Sequence, residues 1–298
     1  MNILSFDIEE WFIEKSFHGG RIERYGLYER KLNEILDLLD EHNIKATFFI
    51  VGMMANDFPE IVKKVDIRGH EVGCHSNRHM WLSKMNRDEA YKDTRQAIDS
   101  LEQCLGKKIE AYRAPAFSIR SDNLWAFEVL AECGIKFDSS VFPAQRDFGG
   151  FPGFPRSEDQ LPTMIKTRAG LLKEFPIITT RLLNKDLAFS GGGYFRFFPL
   201  GFVKNQMGKR IYNICYFHIG DFIQSNSGIM SRADYESYFK ENGPIVKRLK
   251  RYVKSNLGKS HSFAKMKNLL DMFEFISIGQ ASNLIDWSIC PTTEFKDD

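Results

Sequence analysis

Two hydrophobic periods alternate along the first half of the chain. Asn2–Ile8 is a short apolar run that ends in acids, and Lys45–Val51 (KATFFIV) is β-branched and aromatic, as a buried strand requires. Between them Leu32, Ile35, Leu36 and Leu39 recur at helical spacing among polar residues. Gly52 closes the second strand, Asp57–Lys64 starts a helix, and a third strand is expected around His70–Cys74. Asn86–Leu105 reads as a long amphipathic helix stopped by Gly106. Ser121 is expected to cap a further helix through Cys133, with Gly134 at its end, and Lys136–Asp138 begins another strand.

Strands alternating with helices of about 10–20 residues imply βαβ units and a parallel sheet, here an α/β barrel. Chemistry in such barrels collects at the C-terminal strand ends. The first acids, a histidine pair and Asp138 all fall at that edge. From about Phe148 the texture changes. FGGFPGFPRS and SGGGYFRFFPLGF are rich in Gly, Pro and Phe and are expected to form long ordered loops. After Arg232 the chain is Lys-rich and helix-like to about Asp271.

Composition narrows the field. The 298 residues, 43% hydrophobic and 27% charged, have an ordinary globular make-up and suffice for one barrel. A net charge of +2 gives no ground for a nucleic-acid partner. Cys74, Cys104, Cys133, Cys215 and Cys290 are scattered and never form C-x-x-C, so reduced thiols are expected. No stretch approaches 18 apolar residues, and the first residues lack a basic n-region and an apolar h-region. A cytoplasmic protein without a membrane span is therefore expected.

The sharpest chemical signal is Gly69-His70-Glu71-Val72-Gly73-Cys74-His75-Ser76-Asn77-Arg78-His79. His75 and His79 are four apart, and one helical turn would put both imidazoles on one side, suited to a single cation. A zinc site needs a third protein ligand. Asp7-Ile8-Glu9-Glu10 supplies candidates: carboxylates at the end of an apolar strand call for partners, and alternation puts Asp7 and Glu9 on one side. Taken singly, Arg113 in the Arg113–Phe117 loop, Asp138 at a strand end and His218 after an apolar run are as readily structural residues. Gly191–Gly193 lacks the G-K-[ST] of a phosphate loop and is read as lining a cleft. The basic segment Lys247–Lys254 is expected to be a solvated helix face with Leu249 and Val253 packed inward. Contact with an anionic lipid or a lipid-linked pyrophosphate is the alternative.

Taken in order, these five segments resemble the motifs of the NodB-type polysaccharide deacetylases, carbohydrate esterase family four. The H-S-x-x-H motif at His75–His79 is the specific one, and the resemblance covers about residues 1–225. Tyr112–Ile119 and Gly191–Arg196 resemble a subgroup from exopolysaccharide biosynthesis loci that carries a C-terminal extension. The resemblance implies a distorted (β/α) barrel over residues 1–225, with an extension over 226–298 packed on it. It implies a metal-dependent hydrolase, zinc first, with iron, cobalt or manganese also suited to a His/His/carboxylate set. The substrate would be an N-acetylated amino sugar in a glycan or in a lipid- or nucleotide-linked precursor.

By position, Asp7 would be the general base, with Arg113 holding it ionised, and His75 and His79 metal ligands. The Ala116 N–H would bind the oxyanion, and His218 would be the general acid with Asp138 tuning it. Phe117, Tyr194 and Arg196 would meet the sugar. The family's paired aspartates are replaced here by Asp7-Ile8-Glu9-Glu10, so Glu9 is taken as the metal carboxylate, with Glu10 second. The proline that usually flanks the last histidine is also absent at Phe217-His218-Ile219-Gly220. Within the fold, a cyclic-amide hydrolase of the allantoinase kind is the nearest alternative. Outside that chemistry, the alternative is a carbohydrate-binding protein without turnover.

Overall fold

Strand β1 (Asn2–Ile8) is buried at every residue but its first, as an apolar run must be when both faces of its sheet are covered. It is followed by α1 (Glu10–Phe17), α2 (Ile22–Glu41), β2 (Thr47–Ile50), α3 (Met53–Asp57), α4 (Pro59–Ile67) and β3 (Glu71–Cys74). Then come α5 (Arg87–Leu105), β4 (Ala111–Tyr112), α6 (Trp125–Glu132) and β5 (Phe137–Asp138). The second half adds β6 (Thr163–Thr167), β7 (Gly170–Glu174), β8 (Thr179–Leu182), β9 (Lys185–Ala188), α7 (Gly192–Phe197), α8 (Leu200–Gly208) and β10 (Asn213–His218). It closes with α9 (Arg232–Phe239), α10 (Ile245–Asn256), α11 (Lys259–Leu270), α12 (Ile278–Leu284) and β11 (Thr292–Glu294). The computed structural model describes residues 1–146, 149–224, 228–239 and 241–295.

Nine strands form one sheet in the order β10-β1-β2-β3-β4-β5-β7-β6-β11, and every pair is parallel except β6–β7. The barrel is distorted in a specific sense: β10 and β11 end the hydrogen-bonded order instead of pairing with each other. Strands β8 and β9 form a separate antiparallel pair. Sequential βαβ steps from β1 to β5 place their C-terminal ends along one rim, and β10 joins on the far side of β1 with Asp7 opposite His218.

The helical period of α2 is realised, with Leu32, Ile35, Leu36 and Leu39 all buried. Helix α5 begins with an Asn86–Glu89 capping box and stops at Gly106, whose φ of 70° is left-handed. Other expectations need correction. Ser121 does not cap α6; the turn before that helix is held by Asn123, whose Oδ1 accepts the Arg120 N–H at 2.7 Å. SGGGYFRFFPLGF is helical, forming α7 and the start of α8. Its glycine at 191 answers a packing need, because a Cβ there would lie 2.2 Å from the Tyr216 ring. Leu249 and Val253 are not packed inward: both are about half exposed, and α10 buries none of its residues. Amphipathicity predicts that a helix has two faces but not which one meets the protein.

The C-terminal segment is integral to the sheet. Ile276 exchanges hydrogen bonds with β1, donating to Asn2 O (3.0 Å) and accepting from Leu4 N–H (3.1 Å), and β11 pairs with β6. The expected division at 225/226 lies outside the described residues. Among those residues, no helix is long and apolar enough to cross a membrane.

One buried hydroxyl fastens this segment. Thr47 Oγ1 accepts from Ile278 N–H at 2.8 Å and donates to Glu71 at 2.5 Å, while Gly279 N–H donates to the same carboxylate at 3.1 Å. Thr47→Val keeps the shape but leaves the Ile278 N–H without its acceptor and takes one donor from Glu71. A loss of about 1–3 kcal/mol is expected, read as a lower urea midpoint with an unchanged slope. An unchanged midpoint would show that the hydroxyl holds nothing.

Candidate active site

Asp7 ends β1, and a buried carboxylate there demands a cation. Arg113, directly after β4, supplies it: Nη1 donates to Asp7 Oδ1 at 2.8 Å, and both residues are at least 98% buried. The same guanidinium donates from Nε to Ser139 O (3.1 Å) and from Nη2 to Ser139 Oγ (2.9 Å), and it lies 4.2 Å over the Phe49 ring. Each of its three nitrogens donates to a fixed partner, so the pair is positioned as well as neutralised.

His75 follows β3. Its Nδ1–H donates to the Arg113 carbonyl at 2.7 Å, which fixes the tautomer and leaves the Nε2 lone pair facing Glu9 Oε2 at 3.6 Å. His79 Nε2 contacts the same carboxylate oxygen. The two histidines do not share a helical turn, as the spacing suggested. The segment is irregular, with Ser76 (φ 59°) and His79 (φ 53°) left-handed. The bend is held by Gly52 N–H to Ser76 O (2.8 Å), Met53 N–H to Asn77 O (3.1 Å) and Asn77 N–H to Asp93 (2.8 Å). Gly52 is required there, since a Cβ would sit 2.6 Å from the α5 backbone at Ala97.

Glu9, His75 and His79 offer ligand atoms within 4.8 Å of one another. Two neutral-capable imidazoles and a carboxylate, with one imidazole oriented by a backbone carbonyl, fit a divalent cation of the zinc kind. Burial alone would raise the Glu9 carboxyl, but His79 and His218 beside it hold it well below the usual range. Glu10 turns away, accepting from Gly220 N–H at 2.5 Å; burial and the Glu9 charge push it up to about 7.

His218 ends β10 with Nε2 at 3.8 Å from both Asp7 Oδ2 and Glu9 Oε1. Burial works against its charge, yet Glu9, Asp221 and Asp7 together lift it to about 10. Its partner is Asp221 rather than the expected Asp138. Asp221 Oδ2 lies 3.4 Å from Nδ1 and accepts the His218 N–H at 2.9 Å. The only hint in sequence was the i, i+3 spacing of His-Ile-Gly-Asp.

Asp138 lies instead with Glu174, its register partner on β7, and with Ser140. Burial pushes Asp138 up to about 6 and Glu174 well above the carboxylate range. Among the described residues Asp138 Oδ2 and Glu174 Oε2 find no other donor, so a proton held between the two carboxyls satisfies both.

Three further expectations separate. Ala116 (φ 56°) and Phe117 (φ 54°) are consecutive left-handed residues after Pro115, a costly turn for residues with a Cβ. Gly149 braces it, so close that a Cβ would fall 2.1 Å from Ala116 O. Phe117 is not a free stacking face: it is buried against Phe142, Tyr216, Arg113 and Arg146. Arg196 is not at the cleft surface either. Its Nε is 3.4 Å from Asp221, and Nη1 and Nη2 donate to Ser255 O (2.6 Å) and Lys254 O (3.2 Å), capping α10. Tyr194 is half-buried, with its ring 6.2 Å from Phe142.

Residues 25–137 match the polysaccharide deacetylase family, and residues 139–283 match DUF3473, a domain of unknown function. The chain is 38% identical over 96 residues to the peptidoglycan-N-acetylglucosamine deacetylase of Bacillus cereus, covering 32% of this chain and 35% of that protein. It is 34% identical over 92 residues to the chitooligosaccharide deacetylase of Sinorhizobium fredii, covering 30% and 42%. The match thus spans well under half the length of these curated relatives. A provisionally assigned polysaccharide deacetylase structure from Mycobacterium smegmatis superposes with a TM-score of 0.62 at 16% identity, covering 100% of this chain and 94% of that one, which shows a shared fold. His75, His79 and Arg113 lie in the first matched region, His218 and Asp221 in the second, and Asp7 and Glu9 precede both.

The proton between Asp138 and Glu174 makes stability depend on pH. Both carboxyls are raised on folding, so the folded chain keeps protons that the unfolded chain has lost above about pH 4–5. Stability is full below that range and falls as pH rises through the folded values. Glu174→Gln puts an N–H where the proton was and keeps an acceptor for Val141 N–H (3.0 Å). Its melting temperature should fall less than wild type's between pH 6 and 9. Parallel declines would place the dependence elsewhere.

Proposed function

We propose that this chain, a polysaccharide deacetylase domain over residues 25–137 joined to a DUF3473 region over 139–283, hydrolyses N-acetyl groups on amino sugars of a polysaccharide or of its lipid- or nucleotide-linked precursor. The observation that carries this reading is the convergence at one barrel rim of a paired carboxylate (Asp7–Arg113), a Glu9/His75/His79 cluster and His218. The names of the two bacterial relatives, both deacetylases acting on N-acetylated sugars, support it.

Glu9, His75 and His79 would hold the cation, zinc first by its donor set, and the cation would supply Lewis acidity at the acetamide carbonyl and at the attacking water. Asp7 accepts a proton from that water. Arg113 occupies Oδ1, so Oδ2 is the oxygen left for the task. The Ala116 N–H, in its left-handed turn, would bind the oxyanion that forms as water oxygen bonds to the carbonyl carbon. His218 gives its proton to the sugar nitrogen as the C–N bond breaks, releasing a free amine and acetate. Asp221 and Arg196 behind it are positioning residues. A cytoplasmic setting, in keeping with five unpaired cysteines, favours a precursor, and a lipid-linked one would bring the protein into peripheral contact with a membrane.

Acetate release across a panel of acetylated sugars, with and without chelator, is the direct test; release that ignores the chelator would sink the metal-dependent reading. Asp7→Asn should retain metal while losing about 10²–10⁴-fold in rate. Glu9→Gln should lower metal content, and if Glu10→Gln does so instead, the ligand assignment is wrong.

His218 is tested by leaving group. An amine must gain a proton to leave, whereas an activated ester departs with little proton demand. His218→Ala should therefore slow acetamides far more than activated acetate esters. Equal losses on both would mean that His218 shapes the site without donating a proton.

A further inference from the structure

Helix α10, IVKRLKRYVKSN, is built inside out. Ile245, Leu249, Val253 and Leu257 recur at four-residue spacing with Val246 beside them, a stripe about 18 Å long from Ile245 to the C-cap Leu257. In a globular protein such a stripe packs inward. Here Ile245 is 55% exposed, Val246 72%, Leu249 47%, Val253 51% and Leu257 51%.

The polar side is the one that meets the protein, and it does so through specific contacts. Arg248 donates to Gly243 O (3.0 Å) and Met230 O (2.9 Å), and Arg251 lies 3.6 Å over the Phe239 ring. The C-terminal end is fixed by Arg196 on the Ser255 and Lys254 carbonyls. Phe197, next to that arginine, is 64% exposed. The outward direction of the stripe is therefore held in place by the rest of the chain.

Charge selects the occupant. The helix carries five Lys and Arg and no acid, in a chain whose net charge is only +2. At 100° per residue Lys247, Lys250 and Lys254 fall along one flank of the stripe, where their stems can lie beside the apolar residues, and Lys247 also meets Glu241 at 3.4 Å. A second copy of the chain would bring like charges together. An anionic lipid surface accepts both the apolar stripe and the flanking cations.

We propose that α10 is an interfacial helix that docks this protein on an anionic membrane surface, with Leu249 and Val253 in the headgroup–acyl boundary. The inference stands on α10 alone and is independent of the deacetylase reading. Arg196 does couple the two, since the guanidinium that caps α10 also faces Asp221 behind His218.

Co-sedimentation of the full chain with vesicles tests it. The protein should pellet with vesicles containing phosphatidylglycerol, should stay in solution with pure phosphatidylcholine, and should be released by salt. Leu249→Glu with Val253→Glu should cut binding by about tenfold or more, while turnover of a soluble acetylated sugar stays at the wild-type level. Lys250→Glu with Lys254→Glu keeps the stripe and should also lose binding, which guards against misfolding of the first variant. No pelleting by wild type, or pelleting that neither pair of changes reduces, overturns the proposal. So does a concentration-dependent dimer in analytical ultracentrifugation that Leu249→Glu with Val253→Glu dissolves, since the stripe would then be a self-association face.

Discussion

A single guanidinium organises the rim of this barrel. Arg113 is fully buried, so its charge has to be compensated within the protein, and the compensation reaches across the sheet. Asp7 at the end of β1, Phe49 on β2 and Ser139 after β5 surround the side chain, and its own carbonyl sets the His75 ring after β3. The Asp7 carboxylate and one imidazole of the candidate metal cluster thus share a common support. A shift of the arginine would disturb both together.

Around that support, charges alternate in sign: Arg196, Asp221, His218, then Asp7 and Glu9, then Arg113. Each group is flanked by opposite charge, which is how a buried rim can hold several ionised residues. The same logic explains opposite shifts in neighbouring residues. Glu9, facing three histidines, is drawn well down despite its burial, whereas Glu10, one residue later, is pushed up to about 7 by burial and by the Glu9 charge.

The parts legible in the sequence were those whose signal is local. Continuous apolar runs gave β1 and β2, the helical period gave α2, and an Asn cap with a terminal glycine gave α5. His75 and His79 declared themselves by spacing, although the backbone brings them together through left-handed residues and not a helical turn. What escaped was pairing at long range. Nothing near Asp138 announces Glu174, which reaches it only through the β5–β7 register. Nothing near Ala116 announces Gly149, whose missing side chain admits the strained turn. Nor does the pattern of α10 say that its arginines, and not its leucine and valines, have contacts waiting on the protein. In each case the deciding partner lies elsewhere along the chain.

The pairing of β1 with β10 has a consequence during synthesis. β1 leaves the ribosome before the other strands of its sheet, and its neighbour on one side lies 211 positions downstream. At translation speeds of 5–20 residues per second, that partner arrives roughly 10–40 s later. Until then the nascent chain carries an apolar strand with an open edge, the feature most prone to mispairing with other chains. The N-terminal segments that match known deacetylases can reach their own βαβ order early. Asp7, however, meets His218 only when the region of unknown function has emerged and closed over that edge.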